Sequence, residues 1–238
     1  MNLPAIVLDI EGTTSSTCYV HETLYPYAQQ RFVSWLTHHQ SDEQVAEQLN
    51  AIRSLADEPD ASLERIVWWL NYWLEDDQKV TPLKAIQGWI WDEGFKAGKL
   101  KSHFYDDAIP VIRRWHTEGR RLFIFSSGSV AAQHAWFGHT PDGDLLPLFS
   151  GHFDTENLGP KRVASSYRLI AERTGFDVQN MVFLSDLQAE LDAAREAGWH
   201  TVGVSRKGDQ YYEQGVGDHL RIESFDQLNF EGTAPQRR

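Results

Sequence analysis

Four short runs of mostly apolar residues punctuate the chain: Ala5-Ile6-Val7-Leu8, Leu122-Phe123-Ile124-Phe125, Met181-Val182-Phe183-Leu184 and the more mixed His200-Thr201-Val202-Gly203-Val204. Runs this short, without polar alternation, predict strands covered on both faces, as in a parallel sheet. The segments between them have helical spacing, and Gly119, Gly175 and Gly198 each stand where a helix would end ahead of a strand. Alternating strands and helices predict an α/β sheet. Residues 15–105 break that alternation. There Val45, Leu49 and Ile52 recur at helical spacing behind Ser41 and Gln44, a capping-box pair, and Leu63, Ile66, Val67, Leu70 and Leu74 form a second apolar stripe. Thr81-Pro82 predicts another helix, with proline at its first position. An insertion of this length is too large for a loop. The pattern therefore predicts a core domain from residues 1–14 and 106–238, with a helical domain, 15–105, placed over the strand ends. The tail from Gly232 to Arg238 reads as frayed.

Composition narrows the partners. The chain has 238 residues, 41% of them hydrophobic, enough for a sizeable core. Lys and Arg number 22 against 34 Asp and Glu, and the net charge of -12 repels polyanions, which argues against nucleic acid. Small phosphorylated ligands stay open, because backbone donors and a bound cation act at short range whatever the net charge. The single cysteine, Cys18, has no disulfide partner and no CxxC spacing, which fits a reducing, cytoplasmic setting. Met1-Asn2-Leu3-Pro4 does not open a signal peptide, and no apolar run approaches the roughly 18 residues of a membrane span. Trp35, Trp68, Trp69, Trp73, Trp89 and Trp91, six of the nine tryptophans, precede residue 100, so the insertion is built differently from the rest. Its Trp68–Trp73 stripe reads as core.

Candidate chemistry gathers after the strands. Asp9-Ile10-Glu11-Gly12-Thr13-Thr14 follows the first run directly. If the backbone stays extended for two more residues, Asp9 and Glu11 fall on the same side at the carboxyl end of the sheet, where open α/β folds bind ligands. Such a pair suits a divalent cation together with nucleophilic and acid/base work, although an isolated acidic pair fits an ordinary polar turn equally well. Ser126-Ser127-Gly128-Ser129 offers hydroxyls and amides at a helix start, suited to a phosphate or to simple capping. Gly159-Pro160-Lys161 sets one cation at the opening of a helix near Arg162. Ser185-Asp186 ends another strand, with Glu190 one helical turn beyond, and Asp186 can serve in an oxygen shell for Mg²⁺. His103, His134, His139 and His152 lack the spacing of a zinc site and read as structural.

In that order these segments resemble the four motifs of the haloacid dehalogenase superfamily. The usual phosphatase form of the first motif carries Asp at its second acidic position, and Glu11 departs from it. The strings Asp9-Ile10-Glu11-Gly12-Thr13-Thr14, Ser126-Ser127-Gly128-Ser129, Lys161 and Ser185-Asp186-Leu187-Gln188-Ala189-Glu190-Leu191 are similar to the enolase-phosphatase family of methionine salvage. The likeness runs through nearly the whole chain, including Phe95-Lys96-Ala97-Gly98-Lys99-Leu100-Lys101. It implies a Rossmann-like parallel sheet core with an inserted helical cap domain, a monomer, and a Mg²⁺-dependent enzyme. The implied substrate is a small phosphorylated diketone, 2,3-diketo-5-methylthiopentyl-1-phosphate, which is enolised and then dephosphorylated to an acireductone. Asp9 is the implied nucleophile and Glu11 the acid/base. Ser126, Ser127 and Lys161 would bind the phosphoryl group, and Asp9, Asp186 and the main-chain carbonyl of Glu11 would hold Mg²⁺. For the enolisation base, Glu11, Lys161 and the insertion's His21 and Glu22 all stay open. Two other readings compete: a single-function Mg²⁺-dependent phosphatase on the same scaffold, and a signalling module phosphorylated on aspartate.

Overall fold

The computed structural model describes residues 4–78, 80–232 and 234–237, so the reading of Met1–Leu3 lies outside them. The chain divides into two compact units, Met1–Tyr19 with Ser102–Arg238, and Val20–Lys101. Helices of eight residues or more are α1 (Phe32–His39), α2 (Glu43–Leu55), α3 (Leu63–Glu75) and α4 (Thr81–Lys96) in the second unit, then α5 (Ala108–Thr117), α6 (Val130–Gly138), α7 (Ala164–Thr174) and α8 (Gln188–Glu196) in the first.

The first unit is built on a parallel sheet of β1 (Ala5–Leu8), β2 (Arg121–Ser126), β3 (Gly151–Asp154), β4 (Met181–Ser185), β5 (His200–Val204) and β6 (Leu220–Ile222). The strand order is β3-β2-β1-β4-β5-β6, which reverses direction between β1 and β4. That reversal is where a doubly wound sheet opens a crevice beyond its carboxyl ends. Leu8 pairs with Ile124 on one side and Leu184 on the other, so β1 is central. Val7, Phe123, Phe125 and Phe183 pack with Tyr167 and Ile170 of α7 and Leu191 of α8 on one face of the sheet. The alternate residues Ile6, Leu8, Leu122, Ile124, Val182 and Leu184 are also fully buried. Burial on both faces is why these strands read as continuous apolar runs. β3 and β6 are only four and three residues long with mixed composition, and the apolar pattern does not announce them.

Three local expectations are corrected. The tail is not wholly frayed: β7 (Leu228–Glu231) pairs antiparallel with β8 (Ala234–Arg237), Phe230 opposite Pro235, while Thr233 and Arg238 lie outside the described residues. Trp115 packs edge-on to the Phe230 ring and the Arg120 guanidinium lies over it, which anchors the hairpin. At α2 no capping box forms. The N-cap position is Asp42, without a side-chain bond, because the helix starts one residue later than the pair requires. In α4 Pro82 takes the second position, after Thr81.

The second unit has a core of its own. Phe32, Leu36, Ile52, Ile66, Leu70, Ile86 and Ile90 pack together with Trp35 and Trp73 from the four helices. The α3 stripe behaves as its spacing predicts, and Ser62 caps that helix by accepting from Arg65 N–H. Trp68 stands outside the core, half exposed, with the Arg65 guanidinium over its ring. Among the described residues no helix is long and apolar enough to cross a membrane.

Candidate active site

β1 delivers Asp9 to the switch point. Its N–H still bonds Leu184 carbonyl at 3.0 Å, one step past the assigned strand. The chain then bends at Ile10, whose carbonyl accepts the N–H groups of Thr13, Thr14 and Ser15 at 3.3, 2.9 and 2.9 Å. The extended Asp9–Glu11 arrangement is therefore not formed; Glu11 lies in the turn, in a lone bridge with Ser15. Gly12 makes the turn with φ of +66°, and a Cβ there would sit 2.0 Å from Asp186 Oδ2. Only glycine tolerates both constraints. They press the first-strand turn directly against the carboxylate that follows β4.

Asp9, 6% exposed, accepts from Ile10 N–H at 2.8 Å and lies 2.7 Å from Lys161 Nζ through the same oxygen, Oδ1. Lys161 is no surface lysine. It is 7% exposed on the loop before α7, and its ammonium also meets Glu190 Oε2 at 2.7 Å. The helix starts at Ala164, later than the position near Arg162 that the sequence suggests. Ser185 Oγ donates to Glu190 at 2.9 Å and stands 3.4 Å from Asp9 Oδ2. Asp186 is 7% exposed, and among the described residues its Oδ2 has no hydrogen-bond partner.

Two carboxylates thus share one ammonium, with a third, that of Asp186, nearby. Burial alone would push Lys161 down, but the charges of Asp9 and Glu190 outweigh it and hold the ammonium above its ordinary range. Burial raises Glu190 despite Lys161, and the Asp9 charge raises it further. Partners in an isolated ion pair would move in opposite directions. Here both move up, because the burial of Glu190, with the Asp9 charge added, outweighs what the shared ammonium offers it. Asp186 is likewise raised, by burial first and then by Asp9. A buried, unpartnered carboxylate oxygen beside a second carboxylate is a donor set that fits a hard divalent cation. Among the described residues no three His, Cys, Asp or Glu side chains gather to hold a metal, so protein carboxylates would supply only part of its shell.

Of the other predicted residues, Ser126 is buried at the end of β2, its Oγ accepting Gly128 N–H at 3.2 Å, and Ser127 is half-buried beside it. Ser129 caps α6 through Ala132 N–H. Asp154 at the end of β3, which the sequence did not single out, accepts from Val130, Glu156 and Asn157 N–H groups. The first helical amide of α6 is consumed in this way. Glu190, placed one helical turn beyond Asp186 in the sequence but given no role there, is the other contributor. Its distance from Asp186 was legible, but its pairing with Lys161 depends on how the β4 end meets the loop before α7. His21 and Glu22 belong to the second unit and are exposed on the short π-helix Val20–Leu24. The four scattered histidines do not converge. His134 packs edge-on to His152, whose pKa burial pushes down to about 4. His139 bonds Ala135 carbonyl, and His103 meets Ser15.

A family model for haloacid dehalogenase-like hydrolases matches residues 3–198. An enolase-phosphatase E1 of Streptomyces avermitilis is 55% identical over 94% of this chain and 94% of its own, and one of Pseudomonas syringae pv. tomato is 48% identical over 94% and 96%. Among solved structures, the UTR4 protein of Saccharomyces cerevisiae superposes with a TM-score of 0.78 at 31% identity, covering 95% of this chain and all of that one. A Rhodobacter sphaeroides CbbY structure, at 17% identity and a TM-score of 0.63 over 98% and 99% of the two chains, shares the fold. With Asp9, Lys161 and Asp186 gathered at the switch point of a β3-β2-β1-β4-β5-β6 sheet, and with relatives this similar along their whole length, the chain belongs to the enolase-phosphatase E1 family of haloacid dehalogenase-like hydrolases.

Proposed function

We propose that this chain is an enolase-phosphatase of methionine salvage that enolises 2,3-diketo-5-methylthiopentyl-1-phosphate and then hydrolyses its ester, leaving 1,2-dihydroxy-3-keto-5-methylthiopentene and phosphate. The observation that carries the reading is the Asp9 carboxylate held 2.7 Å from a buried ammonium, beside the unpartnered carboxylate of Asp186. An Asp9 oxygen attacks phosphorus, and the ester oxygen leaves with a proton from Glu11. Water then hydrolyses the aspartyl-phosphate while Glu11 takes a proton back. Lys161, Ser126 and Ser127 balance the charge spread over the phosphoryl oxygens. Enolisation needs a base beside the carbonyl-flanked carbon and a cation for the enolate oxygen, roles that fall to Glu11 and Lys161. Asp9, Asp186 and the main-chain carbonyl of Glu11 would hold Mg²⁺, which when bound supplies the positive charge that lets a carboxylate and a phosphate approach each other. The enzyme works as a monomer in the cytoplasm, a setting in which the single exposed Cys18 stays a thiol.

The test is turnover of the diketone phosphate and of generic phosphate esters, with and without Mg²⁺. Expected are Mg²⁺-dependent phosphate release from the diketone, preceded by the ultraviolet absorbance of the enol, and no phosphate release from a folded Asp9→Asn variant. Glu11→Gln should stop both phosphate release and the enol absorbance, whereas an enol that accumulates without phosphate release would leave Glu11 the ester oxygen alone. Phosphate release at similar rates from all esters, with no enol absorbance, would establish the single-function phosphatase instead. A stable phosphoaspartate without turnover would establish the signalling module.

A further inference from the structure

The turn that carries Glu11 is held from outside by bonds that no step of the reaction requires. Thr13 carbonyl accepts Arg206 Nε–H at 3.0 Å, and Thr14 carbonyl accepts Tyr105 N–H at 3.0 Å. Thr17 N–H donates to Asp209 Oδ2 at 3.0 Å, and the Tyr105 hydroxyl donates to that same oxygen. Ser15 Oγ and Ser16 N–H both reach His103 Nδ1, at 3.1 and 3.3 Å.

Arg206, two residues past β5, is the stiffest part of this brace and is 4% exposed. Its Nη1 bonds both Asp107 oxygens, at 2.8 and 2.9 Å, and Glu223 carbonyl at 3.1 Å. Its guanidinium carbon lies 4.4 Å from the Tyr105 ring centre and 4.6 Å from that of Phe225. Asp107 is fixed in turn by Ser224 Oγ at 3.1 Å and Phe225 N–H at 2.6 Å. A planar guanidinium confined by two rings and a carboxylate cannot swing, so Nε–H is a donor of fixed direction. Burying such a pair is a weak source of stability, since desolvation offsets much of the attraction. What the arrangement does supply is a fixed place for the Thr13 carbonyl, two residues from Glu11.

We infer that Arg206 is a positioning residue for the reaction: through its bond to Thr13 carbonyl it sets where Glu11 stands, and Tyr105 and Asp209 steady the far end of the same turn. The inference rests on Glu11 being the acid/base. Lysine at 206 keeps a charge for Asp107 but presents its donors from a single nitrogen, so it does not reproduce the separate Nε and Nη1 positions from which arginine reaches Thr13 and Asp107.

The experiment uses full-length Arg206→Lys and Tyr105→Phe, with steady-state kinetics on the diketone phosphate, urea unfolding, and amide hydrogen exchange over residues 10–17 without substrate. In Arg206→Lys kcat should fall about ten- to a hundredfold, the range expected of a displacement of up to about 1 Å, with KM little changed. Its unfolding midpoint should stay near wild type while exchange quickens only within 10–17. Tyr105→Phe should shift both readouts the same way by less, and it decides the matter if Arg206→Lys does not fold. Wild-type kcat in a folded Arg206→Lys, or lost kcat with unchanged exchange in 10–17, would overturn the inference. Glu11→Gln measured alongside separates the two levels. Full turnover in that variant removes the reading of Glu11 and the inference with it, whereas an inactive Glu11→Gln beside a fully active Arg206→Lys removes the positioning role alone.

Discussion

At the residue scale, the burial of carboxylates around a single ammonium governs how the metal-free protein responds to pH. Asp186 has its folded pKa raised by burial and by Asp9, so the folded state holds that proton more tightly than the unfolded chain. The stability linked to it is present below the ordinary carboxylate range, near pH 4, and is lost as pH rises through the raised value. Asp186→Asn does not titrate and gives up no hydrogen bond at Oδ2. Without Mg²⁺ the variant should therefore unfold at higher urea than wild type at about pH 8, by about 1–2 kcal/mol, with the gap closing towards about pH 5. Saturating Mg²⁺ should stabilise wild type and leave the variant nearly unmoved. Urea titrations at the two pH values, with and without Mg²⁺, check both signs. Asp9, Lys161 and Asp186 each stand in the sequence at the end of a strand or the opening of a helix. That Lys161 is buried between two anions is invisible there, because a lysine after glycine and proline reads equally as a solvated helix start.

At the scale of elements, the turn Ile10–Ser15 differs most from its sequence pattern. A period of two continues the strand and aligns Asp9 with Glu11, but three amides converge on one carbonyl and the chain bends instead. Gly12 is the element's single requirement. In Gly12→Ala the left-handed conformation alone costs about 1–2 kcal/mol, and the methyl group drives into Asp186. We expect lower stability together with a loss of turnover near a hundredfold and a raised Mg²⁺ requirement. Unfolding curves and Mg²⁺ activation curves measure these effects; a variant weakened in stability alone would mean that the contact with Asp186 has no bearing on the site. Long apolar stripes such as that of α3 were legible because a helix repeats its signal over several turns. β3, β6 and the β7–β8 hairpin are too short, and too polar or half-covered, to do so. Capping details slipped by one residue, since a helix can begin a residue either way of its local signal without losing its buried face.

At the scale of the whole molecule, the second unit is continuous in sequence and encloses an apolar core of its own. At about 80 residues it falls within the size range of independent domains. The isolated segment 20–101 should fold to a helical protein with a cooperative thermal transition by far-ultraviolet circular dichroism; a broad, non-cooperative melt would show that its core is insufficient alone. The net charge of -12 sets the long-range field and nothing about the fold. By itself the sequence determined the α/β class, and it offered the polar residues after the strands as candidates for the chemistry. These follow from local periodicity and from motif order, both properties of neighbours along the chain. Only the tertiary structure decided that Glu190 shares Lys161 with Asp9, that Asp186 rests against Gly12, and that Arg206 grips the turn after Asp9. Each of those contacts joins segments far apart in sequence, and it exists because the strand order places β4 beside β1 and the loop after β5 within reach of the same turn. Burial then turns ordinary polar side chains into a charged site whose properties no local pattern encodes.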